Sequence, residues 1–265
     1  MEFITVDQSN LEKEHICCAI AKNEDCQVKS KKSWLADRFK EGLVFRKADI
    51  RGKCFIEYIP AENAWAPVKA ENCMYMDCLW VSGKLSGQGY AKALMDDCIR
   101  DSKEKGKRGI VALSSEKKKP FLADPAFLTK LGFHKVDEAE PYFTLYYLAF
   151  DPEGDSYLPE FREQIKALHA GEHSDRKDSC QDSQIGKGLT LFFTAQCPYT
   201  ARYVPAFAKV AADRGIACKL IQISSTEEAQ QAPTPFPTYS LFYNGKFLTH
   251  EILSEKRAGS LLDSL

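Results

Sequence analysis

The sequence predicts an α/β (α+β) chain of two units, a larger N-terminal one and a smaller C-terminal one. Three observations carry that reading. Residues 73–114 run strand, glycine-rich loop, amphipathic helix, strand; a polar stretch follows residue 150; and a new strand–helix–strand pattern opens at Leu189. At 265 residues the chain is long for one simple domain and comfortable for two. The expected division is a first domain over 1–152, a linker with a short helix over 153–187, and a second domain over 188–265.

Composition narrows the class. Hydrophobic residues at 44% and charged residues at 28% are those of a globular protein able to bury a core in each half. A formal net charge of −1 gives no global case for nucleic acid or an anionic membrane as partner. The short basic runs Lys29, Lys31, Lys32 and Lys117 to Lys119 read as solvated surface. No apolar stretch nears the roughly 20 residues that span a bilayer, and Glu2 and Asp7 break any leader-like start. The ten cysteines lack paired CxxC zinc spacing, Cys73 and Cys78 being too far apart. Several fall inside predicted strands or helices, so reduced, buried thiols and a cytoplasmic location are expected, with no metal site.

In chain order, Lys53 to Ile59 (KCFIEYI) and Cys73 to Val81 (CMYMDCLWV) read as strands. The apolar residues Ala91, Leu94, Met95, Cys98 and Ile99 then recur at helical spacing, and Gly106 suits a left-handed cap. Gly109 to Ser114 (GIVALS) completes a strand–helix–strand crossover. Between strand and helix lies Lys84-Leu85-Ser86-Gly87-Gln88-Gly89-Tyr90-Ala91. The first turn of a helix carries unpaired N–H groups and the positive end of the macrodipole, so it attracts an anion. Glycines at 87 and 89 let the backbone approach a phosphate with no Cβ in the way. Neither a dinucleotide fingerprint nor a P-loop is present.

This segment resembles motif A of the GNAT acetyltransferases, Gln/Arg-x-x-Gly-x-Gly/Ala, with Lys84 in the first position and Gly87 and Gly89 matching. Phe127 to Phe133 (FLTKLGF) resembles the family's motif B, and together the two cover most of residues 50–150. The resemblance implies a mixed twisted sheet with flanking helices and acetyl-CoA held between two splayed parallel strands. It places the pantetheine arm along Leu79 and Val81, and the pyrophosphate on the amides of Leu85, Ser86, Gly87, Gln88, Gly89, Tyr90 and Ala91 beside Lys84. It also implies a carboxylate base, for which Glu57 on the upstream strand is the candidate. The usual tyrosine of motif B is Leu128 here, leaving Tyr142, Tyr146 or Ser115, or no dedicated acid at all. The loop 115–125 shapes the acceptor pocket in this picture, with Trp65, Trp80 and Tyr75 lining it or serving as core.

In the C-terminal unit Leu189 to Thr194 reads as a strand, followed by Cys197-Pro198-Tyr199-Thr200 and a helix to about Arg214. A cysteine just before a helix has its thiolate favoured by the dipole. Strands Ile216 to Ile223, Tyr239 to Tyr243 and Lys246 to Leu248 follow, the last two joined by Asn244-Gly245. This order resembles the thioredoxin and glutaredoxin fold, with Pro237 in the cis-proline position and Pro205 where the first helix kinks. The usual second cysteine is Thr200, so dithiol exchange is not available. Cys180 is a better resolving partner than Cys218, and Cys197 remains a candidate reactive residue. A GNAT domain with this tail resembles bacterial acetyltransferases ending in a YoaP-like domain, the match running to EILSEKRAGSLL. The expectation is an N-acetyltransferase moving acetyl from acetyl-CoA to a primary amine, on a small molecule or a peptide. The monothiol domain would serve recognition. The alternative is a thiol-dependent redox or mixed-disulfide protein whose first domain only binds acetyl-CoA.

Overall fold

Each face of the main sheet is covered by different elements, and that asymmetry positions the site. In the computed structural model the described residues are 1–16, 18–19, 21–119, 121–154, 156–167, 185 and 187–265. The elements of the first unit are β1 (Phe3–Val6), α1 (Cys26–Phe39), β2 (Val44–Ala48), β3 (Cys54–Pro60), β4 (Val68–Lys69), β5 (Cys73–Val81) and α2 (Tyr90–Glu104). They continue with β6 (Gly109–Ser115), α3 (Pro125–Lys130), β7 (His134–Ala139), β8 (Phe143–Ala149), β9 (Glu160–Phe161) and α4 (Glu163–Ala167). The remainder is β10 (Leu189–Phe193), α5 (Thr200–Ala212), β11 (Cys218–Gln222), α6 (Thr226–Gln230), β12 (Tyr239–Tyr243), β13 (Lys246–Thr249) and α7 (Glu255–Leu262).

The large sheet has the order β1-β2-β3-β5-β6-β8-β7, and only β5 and β6 pair in parallel. That parallel pair needs a crossover, which α2 supplies. Along β3, Ile56 and Tyr58 face one side, where they meet Met74, Met76 and the Leu94, Met95 and Cys98 stripe of α2. Phe55 and Ile59 face the other side, against Val28, Trp34 and Leu35 of α1. The second sheet runs β11-β10-β12-β13, with β10 and β11 parallel and the other pairs antiparallel. Its Phe192, Ile223 and Phe242 belong to the same apolar cluster as Phe55 and Trp34, so the second unit packs onto the α1 side of the first.

Polar contacts fix that docking. Arg38, 2% exposed, donates to Thr226 Oγ1 at 2.9 Å; Trp65 Nε1 donates to the same oxygen at 3.1 Å, and the Thr226 hydroxyl donates to Glu41 Oε2 at 3.2 Å. Gln230 receives Arg162 at 2.6 Å and donates to Glu62 O at 2.9 Å. Replacing Thr226 by Val keeps the shape but strips partners from two buried donors, which costs about 1–3 kcal/mol. Urea unfolding of the full chain should show a loss of that size, and an unchanged midpoint would mean the hydroxyl holds nothing.

Several expectations are corrected. Lys31 and Lys32 are not surface residues: they are 2% and 5% exposed, because α1 turns a polar edge inward where buried acceptors await it. Lys32 donates to Glu12 O and Asn23 Oδ1 at 3.0 and 3.1 Å. The short helix expected in the 153–187 linker is α4 within the described residues, since Glu160–Phe161 just before it is drawn into pairing with β4. Among the described residues the cis peptide is Glu140–Pro141, so the Phe236–Pro237 bond is trans. Cys180 lies outside the described residues.

Candidate active site

The site begins where the sheet comes apart. The β5–β6 ladder runs from Cys73–Gly109 to Met76–Ala112 and stops there, leaving 77–81 and 113–115 to diverge. On its other edge β5 stays paired to β3, but with a bulge: Glu57 opposes Cys78 and Tyr58 opposes Met76, so Asp77 has no opposite number. A bulge breaks the alternation of a strand and re-aims side chains. Cys73 and Tyr75 lie on the α1 face before it, and Cys78 and Trp80 lie on that same face after it. Asp77 and Cys78 both line one cavity of about 600 Å³, together with Glu57, Trp65, Tyr75 and Trp80.

The charges in this cavity are concentrated, and two of them are deeply buried. Lys31 Nζ lies 2.9 and 2.7 Å from the two oxygens of Glu57, in a pair whose side chains are 2% and 1% exposed. Burial alone would discharge Lys31, yet the Glu57 carboxylate beside it holds the ammonium above its usual range. Burial pushes the Glu57 carboxyl up, while Lys31 and Arg38 pull against that rise. For Asp77, burial raises the carboxyl to about 8, helped by the neighbouring Glu57 charge and opposed by Arg38, Lys31 and a hydrogen bond from Gln196. The Cys78 thiol is pushed well above its ordinary value by the same burial and the same Glu57 charge.

The glycine-rich loop leads from the opening to α2. Gly83, Gly87 and Gly89 have φ of +66°, +77° and +84°, and Gly89 is the residue that enters the helix. These left-handed values explain why glycine stands at each position. Leu79, Val81 and Ala91 line the cavity, whereas Lys84, Ser86, Gly87, Gln88 and Gly89 are exposed on the loop beyond it. Leu85 and Tyr90 are half-buried against the α2 core. The helix start therefore presents unpaired amides at the outer end of the cleft, a setting that suits a phosphate group.

The far wall of the cavity comes from the second unit, through Gln196, Cys197, Pro237, Thr238 and His250. Burial pushes the Cys197 thiol up to about 11, against a lowering hydrogen bond from the Tyr199 amide. Thr200 ties down the turn after it, its hydroxyl being 2.6 Å from Thr194 O and 2.7 Å from Cys197 O. Among the hydroxyls considered as acids, Ser115 is engaged with Lys117 O at 2.7 Å, and Tyr142 OH lies 2.5 Å from His250 Nδ1. Neither they nor Tyr146 line the cavity. Leu128 is fully buried in the α2 core.

Sequence reasoning missed Asp77, Lys31, Gln196 and His250. Asp77 had one signal, an acid standing alone in the apolar run Cys73 to Val81. The others had none, because their roles depend on contacts between elements distant in the chain.

Residues 9–133 match the acetyltransferase (GNAT) family, and residues 218–257 match a family described as YoaP-like. A curated relative from Bacillus subtilis (strain 168), the uncharacterized N-acetyltransferase YoaP, is 41% identical over 266 residues, covering 100% of each chain. An acetyltransferase from Salmonella typhimurium solved with its cofactor acetyl-CoA is 13% identical, over 58% of this chain and 96% of that one, with a TM-score of 0.41. A GNAT family N-acetyltransferase from Escherichia coli in complex with CoA is 21% identical, over 51% of this chain and 76% of that one, with a TM-score of 0.33.

Proposed function

This chain belongs to the GNAT family of N-acetyltransferases, and from that premise we propose that it moves the acetyl group of acetyl-CoA directly to a primary amine. The observation that carries the proposal is the parting of β5 and β6 just past Met76, which leaves Asp77, on the face of Cys73 and Tyr75, lining the cavity beside Glu57.

The residues fit the donor. The open edges beyond Met76 and Ala112 leave backbone groups near Leu79 and Val81 free to pair with the amides of a pantetheine arm. The amides of Leu85, Gly87, Gly89, Tyr90 and Ala91, with the charge of Lys84, suit the pyrophosphate, while those of Ser86 and Gln88 donate to Gly83 O and Leu85 O at 3.2 and 3.4 Å. When bound, acetyl-CoA supplies an activated acyl group with a thiolate as leaving group. Asp77 is the member of the acidic pair that meets the amine; Glu57, fixed by Lys31, is the charge that raises Asp77's affinity for a proton. Asp77 takes one proton from the ammonium. The nitrogen–carbonyl bond then forms as the carbon–sulfur bond breaks, and the second nitrogen proton goes to the departing sulfur.

Residues 1–152 form the acetyltransferase domain in this reading, 153–187 the connection, and 188–265 a thioredoxin-like domain that recognises the acceptor through the wall containing Cys197. The strand order β11-β10-β12-β13, with a parallel first pair and α5 directly after β10, supports the thioredoxin-like assignment. The mixed-disulfide alternative has less support: the attacking species is the thiolate, and burial keeps Cys197 protonated. Calorimetric titration with acetyl-CoA, followed by thiol release against a panel of amines, tests the proposal. Binding with amine-dependent release is the expected result, and absence of acetyl-CoA binding would sink it.

A further inference from the structure

We propose that the acetyl acceptor is a small, free primary amine with an apolar body, bound as its ammonium ion at Asp77 and shut in by the C-terminal unit, whose Gln196 is the positioning residue for that carboxylate. The inference rests on the acetyltransferase reading for its donor, but the binding it describes is measurable without turnover.

Three observations carry it. The first is the orientation of Gln196. Its Oε1 accepts the Thr238 hydroxyl at 3.1 Å, and its backbone N–H donates to Thr194 Oγ1 at 3.1 Å. With the oxygen so engaged, the amide nitrogen is the end left to face the cavity that Asp77 also lines, and Gln196 there favours the Asp77 carboxylate. A carboxylate accepts more hydrogen bonds than one amide donates, so an ammonium group can share it. Glu57 is paired to Lys31, and Asp124, the third acid of the lining, to Lys118 at 2.8 Å, which leaves Asp77 as the acid that can receive the ammonium.

The second observation is the lining. Around the acids stand Phe55, Trp65, Tyr75, Trp80 and Phe236, so the body of the acceptor meets aromatic carbon while its charged end meets Asp77. A cavity of about 600 Å³ lies within the size range of small-molecule sites. Part of that space is the cleft beside Leu79 and Val81 assigned to the donor, which limits the acceptor further.

The third is the lid on the acceptor side. Gln196, Thr238 and His250 reach the cavity from a unit that is bonded to the first through Thr226, Gln230 and the Tyr142–His250 contact. Two further bonds close the same seam, Lys53 to Tyr199 OH at 3.3 Å and Arg202 to Asp25 at 2.9 Å. A lysine on a folded protein brings its backbone and neighbours with it, and a wall from the second unit narrows their approach. A free amine does not meet that obstacle.

The test uses the full chain loaded with CoA and three probes: n-butylammonium, butan-1-ol and a blocked lysine peptide, each titrated calorimetrically across pH. Butylammonium should bind about tenfold or more tightly than either of the others above the pH at which Asp77 ionises, as expected for a charge-assisted hydrogen bond. Replacing Gln196 by Leu should weaken butylammonium about fivefold or more and move the pH midpoint of binding upward, because the bond favouring the carboxylate is gone. The charged groups bearing on that midpoint are Glu57 from β3 and Lys31 and Arg38 from α1, all unchanged in the variant. A residue that only packed the wall would leave the midpoint where it was. Peptide binding as tight as butylammonium, butan-1-ol binding as tight, or an unmoved midpoint overturns the proposal. Loss of acetyl-CoA binding in the wild type would instead overturn the acetyltransferase reading and leave the ammonium result standing on its own.

Discussion

Replacing Asp77 by Asn is expected to lower the amine-dependent rate by about 10²–10⁴-fold, the usual worth of a positioned general base. The substitution keeps the shape of the side chain and an acceptor for Gln196, so thermal unfolding should be little changed. It removes the group whose carboxyl burial has raised to about 8. The sign of the pH effect follows. Only the ionised carboxylate can take a proton, so the wild-type kcat/KM should climb as pH rises toward about 8 and level above it. In the Asn variant that inflection should vanish, while any dependence due to the amine's own ionisation remains. A variant with wild-type rate and an unaltered profile would show that Asp77 is not the proton acceptor.

The second large effect is expected at Gly89. Its φ of +84° at the entrance to α2 is a left-handed conformation that costs a non-glycine residue about 1–2 kcal/mol, and more for a branched one. A Cβ there would find only the Met1 side chain within 4 Å, at 3.7 Å, so Gly89→Val creates no clash in the folded chain. The damage falls on the loop's conformation and on the backbone approach that a pyrophosphate requires. Acetyl-CoA should bind about 10–100-fold more weakly, since each 1.4 kcal/mol is a factor of ten. Gly106, at the opposite end of the same helix, is the control. It has φ of +67° and open space around it, so Gly106→Val carries similar strain away from the cleft. Calorimetry should find acetyl-CoA affinity kept in the Gly106 variant and lost in the Gly89 variant. Equal losses, or none, would remove the loop from the donor site.

The split between what was legible and what was not follows from the range of the interactions involved. The strand Cys73 to Val81, the helix that follows, the left-handed Gly106 and the Asn244-Gly245 hairpin are set by neighbours a few residues apart, and each stands in the structure where the sequence put it. Family membership was legible in the same way, because the glycine loop and motif B are contiguous stretches.

Burial and pairing across the chain were not legible. Lys31 sits among Lys29 and Lys32 in a run whose local pattern is that of a solvated face. Its true environment is decided by Glu57, 26 residues away, because a buried carboxylate makes a buried ammonium favourable where solvent otherwise wins. The same limit hid Asp77. Alternation puts it on the face of Cys73 and Tyr75, but only the packing of α1 and of the second unit makes that face a cavity shared with Glu57. The sequence by itself determined the strand, glycine loop, helix and strand of residues 73–114. Only the tertiary structure decided that two carboxylates, a buried lysine and the amide of Gln196 share one cavity. Charges and amides gain that strength only after packing has excluded water from between them.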